Sequence, residues 1–237
     1  MEPDGLSRRS LLTLRMPWRD APPSAPAVHR WPDGAPALVR ALEPLAGIVC
    51  DTAAVGPGRD VLAVGAGEGV VAREAKGRGA VVHWCAHTEL DELPHAAKSF
   101  DAVVSLLGVS LAPRPRHAGS ELVRVLRPDG MLVLAVPTPR TLVARVLKMA
   151  GTPGPISWSE PEAAARRLPG AEVELRTLEV EIEFPSFGDA WDACAGPFGL
   201  PDGARDRFAD MIAAHSSSAA AVVMQDRWRL VLARRTA

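Results

Sequence analysis

The run Val61-Leu62-Ala63-Val64, followed at once by Gly65-Ala66-Gly67-Glu68-Gly69, constrains the fold of this chain more than any other segment. Four consecutive apolar residues suit a short strand covered on both faces, as in a parallel sheet. The glycines then turn the chain into Val70 to Lys76, a stretch of mostly good helix formers stopped by Gly77-Arg78-Gly79. Such a turn lets backbone come close to a ligand, and the helix start presents unpaired N–H groups to a negative or polar atom. The same turn can also serve only to reverse the chain, so its context decides.

The context repeats the unit. Ala80 to Cys85, Ala102 to Leu106 and Met131 to Val136 read as three further strands. Between the last two lies a helix with the apolar stripe Ala118, Leu122, Val125 and Leu126, closed by an Arg127-Pro128-Asp129-Gly130 turn. Ahead of the first strand, Leu38, Ala41, Leu42, Leu45 and Ile48 fall at helical spacing from Ala37 onward, with Pro44 predicting a kink. Strand and helix alternate, which is the sign of βαβ units and a mostly parallel sheet. Beyond residue 137 the pattern changes. Thr141 to Met149 and Glu160 to Arg167 read as helices, whereas Val173 to Phe184 and Ala221 to Ala233 read as long strands with helices between them. These predict an antiparallel edge added to the parallel sheet.

A chain of 237 residues suits one α/β domain. We divide it into a proline-rich arm, residues 1–32, and a domain, residues 33–237, with a nucleotide-binding half (33–137) and a substrate-side half (138–237). With 27 basic against 28 acidic side chains and a net charge of -1, nothing draws the whole protein onto nucleic acid or an anionic bilayer. A small-molecule or protein partner fits better. No apolar run approaches the roughly 18 to 20 residues that span a membrane. Ser7-Arg8-Arg9-Ser10-Leu11-Leu12 resembles a twin-arginine export signal, but Arg15 and Arg19 interrupt the apolar stretch that should follow. A cytoplasmic location is expected. Cys50, Cys85 and Cys194 have neither paired nor zinc-ligand spacing and are expected to be buried thiols, with no metal.

Val61 to Gly69 resembles the first motif of class I S-adenosylmethionine (SAM) dependent methyltransferases, hydrophobic-Leu-Asp-hydrophobic-Gly-x-Gly-x-Gly. Leu93-Pro94 followed by Ser99-Phe100-Asp101-Ala102-Val103 is similar to that family's run into its fourth strand. Glu121 to Gly130 resembles its Arg-Val-Leu-Arg-Pro-Gly-Gly turn, departing only at Asp129. The likeness covers about Val61 to Val136. It implies a Rossmann-like, doubly wound sheet, SAM as cofactor, and methyl transfer to a small organic acceptor. The residues it assigns to the cofactor are Gly65, Ala66, Gly67, Gly69, Glu89, Leu90 and Ser105.

Two departures fall on that site. Ala63 stands where the family has an acid in the first strand. The family also has a second strand ending in an acid that binds the ribose hydroxyls, then a helix, then a third strand; here only Ala86 to Asp101 separate Cys85 from the next strand. A parallel crossover takes a dozen or more residues, so two crossovers and a strand do not fit. One βα unit is therefore predicted to be missing, leaving Ala80 to Cys85 at or near an edge that the arm, the helix from Ala37 or a second copy in a homodimer could cover. If this strand is the second, Cys85 or Ala86 takes the ribose position; if it is the third, Glu89 falls at the acid near the adenine.

No catalytic base is fixed by the sequence. His87 and His95, beside the expected cofactor mouth, are the candidates, each weighed against an ordinary loop histidine. Trp158, Trp191 and Phe198 could line an acceptor pocket or fill the core. The alternative to an enzyme is a methyltransferase-like protein without catalysis, acting as a binding or interaction module.

Overall fold

The computed structural model describes residues 36–236 except 66–68, 152–157, 159 and 219. The arm, Ala66, Gly67, Ile156 and Ser157 lie outside the described residues. The elements run α1 (Pro36–Thr52), β1 (Asp60–Gly65), α2 (Val70–Gly77), β2 (Val81–Ala86), β3 (Phe100–Leu106), α3 (Pro115–Val125), β4 (Leu126–Pro137), α4 (Leu142–Met149), α5 (Pro161–Arg167), β5 (Ala171–Phe184), α6 (Phe187–Phe198), α7 (Arg205–His215) and β6 (Val222–Arg235). Six strands form one sheet in the order β2-β1-β3-β4-β6-β5. The first four are mutually parallel, and β6 and β5 add the antiparallel edge.

The sheet divides the core because side chains alternate along each strand. Val61 and Ala63 of β1 face a layer built by α1, α2, α4, α6 and α7. Leu62 and Val64 face the layer of α3 and α5. Pro44 sits inside α1, whose residues Leu38, Leu42, Leu45 and Val49 are buried. Pairing of β4 with β6 joins the two halves of the chain through one continuous sheet.

The predicted deficit of one βα unit is present. β2 lies directly beside β1 and, among the described residues, pairs with no other strand, and residues 87–99 return to β3 on the far side of β1 through a single 3-10 turn, His87–Glu89. This short crossover is fastened to α3. Arg124 donates to the carbonyls of His95 (2.8 Å) and Leu93 (3.1 Å), and Glu121, paired with Arg124, accepts from the Leu93 N–H (2.9 Å). α1 packs on α2, α6 and β5, so β2 keeps Val81 and Trp84 about half exposed.

One boundary differs from expectation. β4 begins at Leu126, not Met131, because Leu126 already pairs with Phe100; the Arg127 to Gly130 turn is an irregularity inside the strand, with Asp129 left-handed at φ 61°. Arg127 explains the arrangement. Its guanidinium bonds Asp60 (2.8 Å) and Asp101 (2.7 Å), tying together the N-terminal ends of β1, β3 and β4.

Candidate active site

The carboxyl ends of β1, β2 and β3 form the mouth at which a doubly wound sheet binds its ligands. Gly65 ends β1 and Gly69 precedes α2; a Cβ built on either would meet nothing within 4 Å. Packing among the described residues therefore does not require glycine at either position. Val39 and Leu42 of α1, Val70 and Val71 of α2, and Leu106 and Leu107 close an apolar cleft beside the turn, with about 50 Å³ enclosed.

Ser105 is fully buried. Its hydroxyl donates to the Val64 carbonyl (3.1 Å) and accepts from the Val109 N–H (3.2 Å), joining the end of β1 to the 3-10 turn Gly108–Leu111. Gly108 fits against the same strand end: a Cβ on it would fall 2.7 Å from the Val64 carbonyl oxygen and 2.9 Å from the Gly65 Cα. Leu107, buried between them, adopts φ 67°, a left-handed conformation costly for a leucine. The end of β1 is thus braced by three features at and just beyond the end of β3, of which only Ser105 is singled out by the sequence.

β2 lies beside β1 and ends at Cys85 and Ala86. Burial, reinforced by Glu89, pushes the Cys85 thiol up to about 12, leaving it neutral. Glu89 makes a contact that spacing alone does not reveal. Its carboxylate reaches back to the tip of β2 and accepts the Ala86 N–H at 2.8 Å, and its side chain remains exposed. Leu90 is fully buried in the layer of α3 and α5.

The two histidines separate. His87 is buried in the turn that follows β2, at the mouth. His95 stands with His83 and Phe100, ring centroids 5.8 Å and 5.0 Å away, and Phe100 begins β3 at the opposite end of the parallel strands from Gly65. Burial, then His83 and Arg124, lower the His95 pKa. Trp158 lies fully buried against α3 and α5, while Trp191 and Phe198 belong to the other layer, Trp191 against Phe208. None of the three lines the cleft beside Gly65. Among the described residues, no cluster of three or more His, Cys, Asp or Glu could hold a metal, all three cysteines are free and buried, and no helix is long and apolar enough to cross a membrane.

A six-stranded sheet of this order with a glycine turn after its first strand is a class I SAM-dependent methyltransferase fold. Residues 46–134 match the model of a methyltransferase domain family. An uncharacterised protein of Mycobacterium bovis is 28% identical over 200 residues, covering 70% of this chain and 69% of its own length. A second from the same organism is 33% identical over 151 residues, covering 51% of this chain and 54% of its own, so the chain spans about half of that relative. Among solved structures, the YcgJ protein of Bacillus subtilis superposes with a TM-score of 0.55 at 17% identity, covering 81% of this chain and 98% of that one, a likeness of fold.

Proposed function

We propose that this domain binds SAM at the carboxyl end of β1 and transfers its methyl group to a small organic acceptor in the cytoplasm. The observation that carries the reading is the open space at Gly65 and Gly69 together with the Glu89 carboxylate at the tip of β2. SAM, when bound, supplies an electrophilic methyl on a sulfonium. The chain's own residues then bind, orient and exclude water. Gly65 and Gly69, with Ala66 and Gly67 of the same turn, admit close backbone approach. Glu89 takes over the ribose hydroxyls that Cys85 and Ala86 cannot hold, because only a carboxylate can accept two such hydrogen bonds while keeping its bond to Ala86. Val39, Leu42, Leu106 and Leu107 form a dry wall. Holding donor and acceptor in line supplies most of the rate, with His87 the one candidate base at the mouth.

The test is titration with S-adenosylhomocysteine of the wild type and of Glu89→Gln. Loss of a charge-assisted hydrogen bond is worth on the order of 1.5 to 3 kcal/mol, so the variant should bind about ten- to a hundredfold more weakly. Equal affinity would remove Glu89 from the site. Ala63, in place of the family's acid, favours the second reading, a methyltransferase-like binding module without catalysis. Binding without methyl transfer to any acceptor would select it.

A further inference from the structure

β2 is an edge of the sheet, and few of its main-chain groups face outward. The Val81 N–H donates to the carbonyl of Arg59, just before β1 (2.9 Å), so by alternation the N–H and C=O of Val81, His83 and Cys85 face β1 and those of Val82, Trp84 and Ala86 face away from it. We infer that β2 pairs antiparallel with β2 of a second copy of this chain, across a two-fold axis at His83, so that two sheets become one.

The N–H groups at both ends of the edge are already taken. The Glu89 carboxylate accepts the Ala86 N–H (2.8 Å), and the Ala75 carbonyl accepts the Ala80 N–H (3.3 Å). Val82 and Trp84 lie between them, and among the described residues no strand pairs with their outward N–H and C=O. A two-fold axis normal to the sheet at His83 sets Val82 of each copy opposite Trp84 of the other, where the two residues exchange both N–H···O bonds and every one of these groups is used. An axis at Trp84 would instead set Val82 opposite Ala86, whose N–H is held by Glu89.

The side chains suit this register. Trp84 shares the α1 and α2 face with its neighbour Ala63, is half exposed, and meets Val82 of the second copy, an aromatic residue against a β-branched one. β2 carries no Lys, Arg, Asp or Glu, so like residues can face each other across the axis without repulsion. The flanks are complementary in charge. Arg73 and Lys76 are exposed on α2, which leads into β2, and Glu89 and Glu92 are exposed beyond its end; the other charges there are paired within one copy, Arg78 with Asp51 and Glu74, Asp91 with Arg114. Antiparallel pairing sets the basic approach of one copy beside the acidic exit of the other, whereas parallel pairing sets like beside like.

The experiment is sedimentation velocity of the full chain over a range of concentrations, with oxidative cross-linking to fix the register. A monomer–dimer equilibrium is expected, weakened at least tenfold in Val82→Pro, which removes an outward N–H and leaves the ladder with β1 intact. His83→Glu, at an exposed position, sets two acids face to face and should weaken it as much. His83→Cys should form an intermolecular disulfide, because a residue on the axis lies about 4.5 Å from its own copy, Cα to Cα, within disulfide reach. Val81→Cys, displaced from its own copy by about 13 Å along the strand, should not, and the native cysteines are all buried. A monomer at every concentration, as an edge covered by residues 1–32 of the same chain would give, would overturn the inference. So would an undiminished dimer in Val82→Pro and His83→Glu, or cross-linking of Val81→Cys as readily as of His83→Cys.

Discussion

Ser105 and Val64 are joined across two strands by a hydrogen bond of 3.1 Å from the serine hydroxyl to the main-chain carbonyl, and the same hydroxyl accepts the Val109 N–H. The end of β1, from which the glycine turn springs, is therefore fixed by a residue of β3. Ser105→Ala leaves the buried Val109 N–H without a partner and should cost about 1 to 3 kcal/mol of stability, measured by denaturant unfolding. A cost below about 0.5 kcal/mol would mean that the tie does not matter.

Gly108 should be more sensitive in function than in stability. An alanine there must displace either the Val64 carbonyl or the Gly65 Cα, both at the mouth. We expect Gly108→Ala to remain folded but to lose S-adenosylhomocysteine binding at least tenfold. Retained affinity would show that the glycine turn tolerates movement.

Much of this architecture was legible in the sequence because its signals are local. Alternating apolar runs and helical stripes give the βαβ order, and chain length alone between Cys85 and Ala102 excludes a second crossover. The motif matches mark the fold more than the chemistry. Asp101 and Arg127, from the two segments most like the family, are partners in the ion pair that ties three strand ends together. What was not legible depends on contacts between distant residues or on side-chain direction. Glu89 falls at the family's acid near the adenine if its strand is the third, and spacing does not show that its side chain turns back onto Ala86. Gly108 and Gly119 look like any glycine until neighbouring backbone is seen within contact distance of their absent Cβ atoms. Asp226 lies in an apolar strand with nothing in its sequence to mark it.

Asp226 gives a pH dependence with a definite sign. It is fully buried on β6 and accepts the first N–H of α4 from Leu142, at 2.8 and 3.0 Å. Burial raises its pKa to about 7, against the lesser opposing pull of the Leu142 N–H and Arg145. The folded state then binds a proton that the unfolded chain has released above about pH 4, so stability falls as pH rises from about 4 to about 7. Asp226→Asn should flatten this fall and be more stable than the wild type at pH 8. An unchanged pH profile of thermal unfolding would contradict the assignment.

The edge strand β2 carries no Lys, Arg, Asp or Glu and exposes Val81 and Trp84, by 52% and 50%, a combination that invites pairing with another chain. Val81→Lys should reduce concentration-dependent self-association in sedimentation velocity without lowering the unfolding midpoint. Identical sedimentation of variant and wild type at all concentrations would leave this edge without such a role.

We propose that a cofactor site persists at Gly65 and Gly69 although Ala63 stands where the family has an acid. Isothermal titration of the wild-type protein with SAM and S-adenosylhomocysteine tests it most directly. Saturable binding of both is expected, with dissociation constants at best on the order of tens of micromolar. No heat from either ligand at saturating concentration would contradict it.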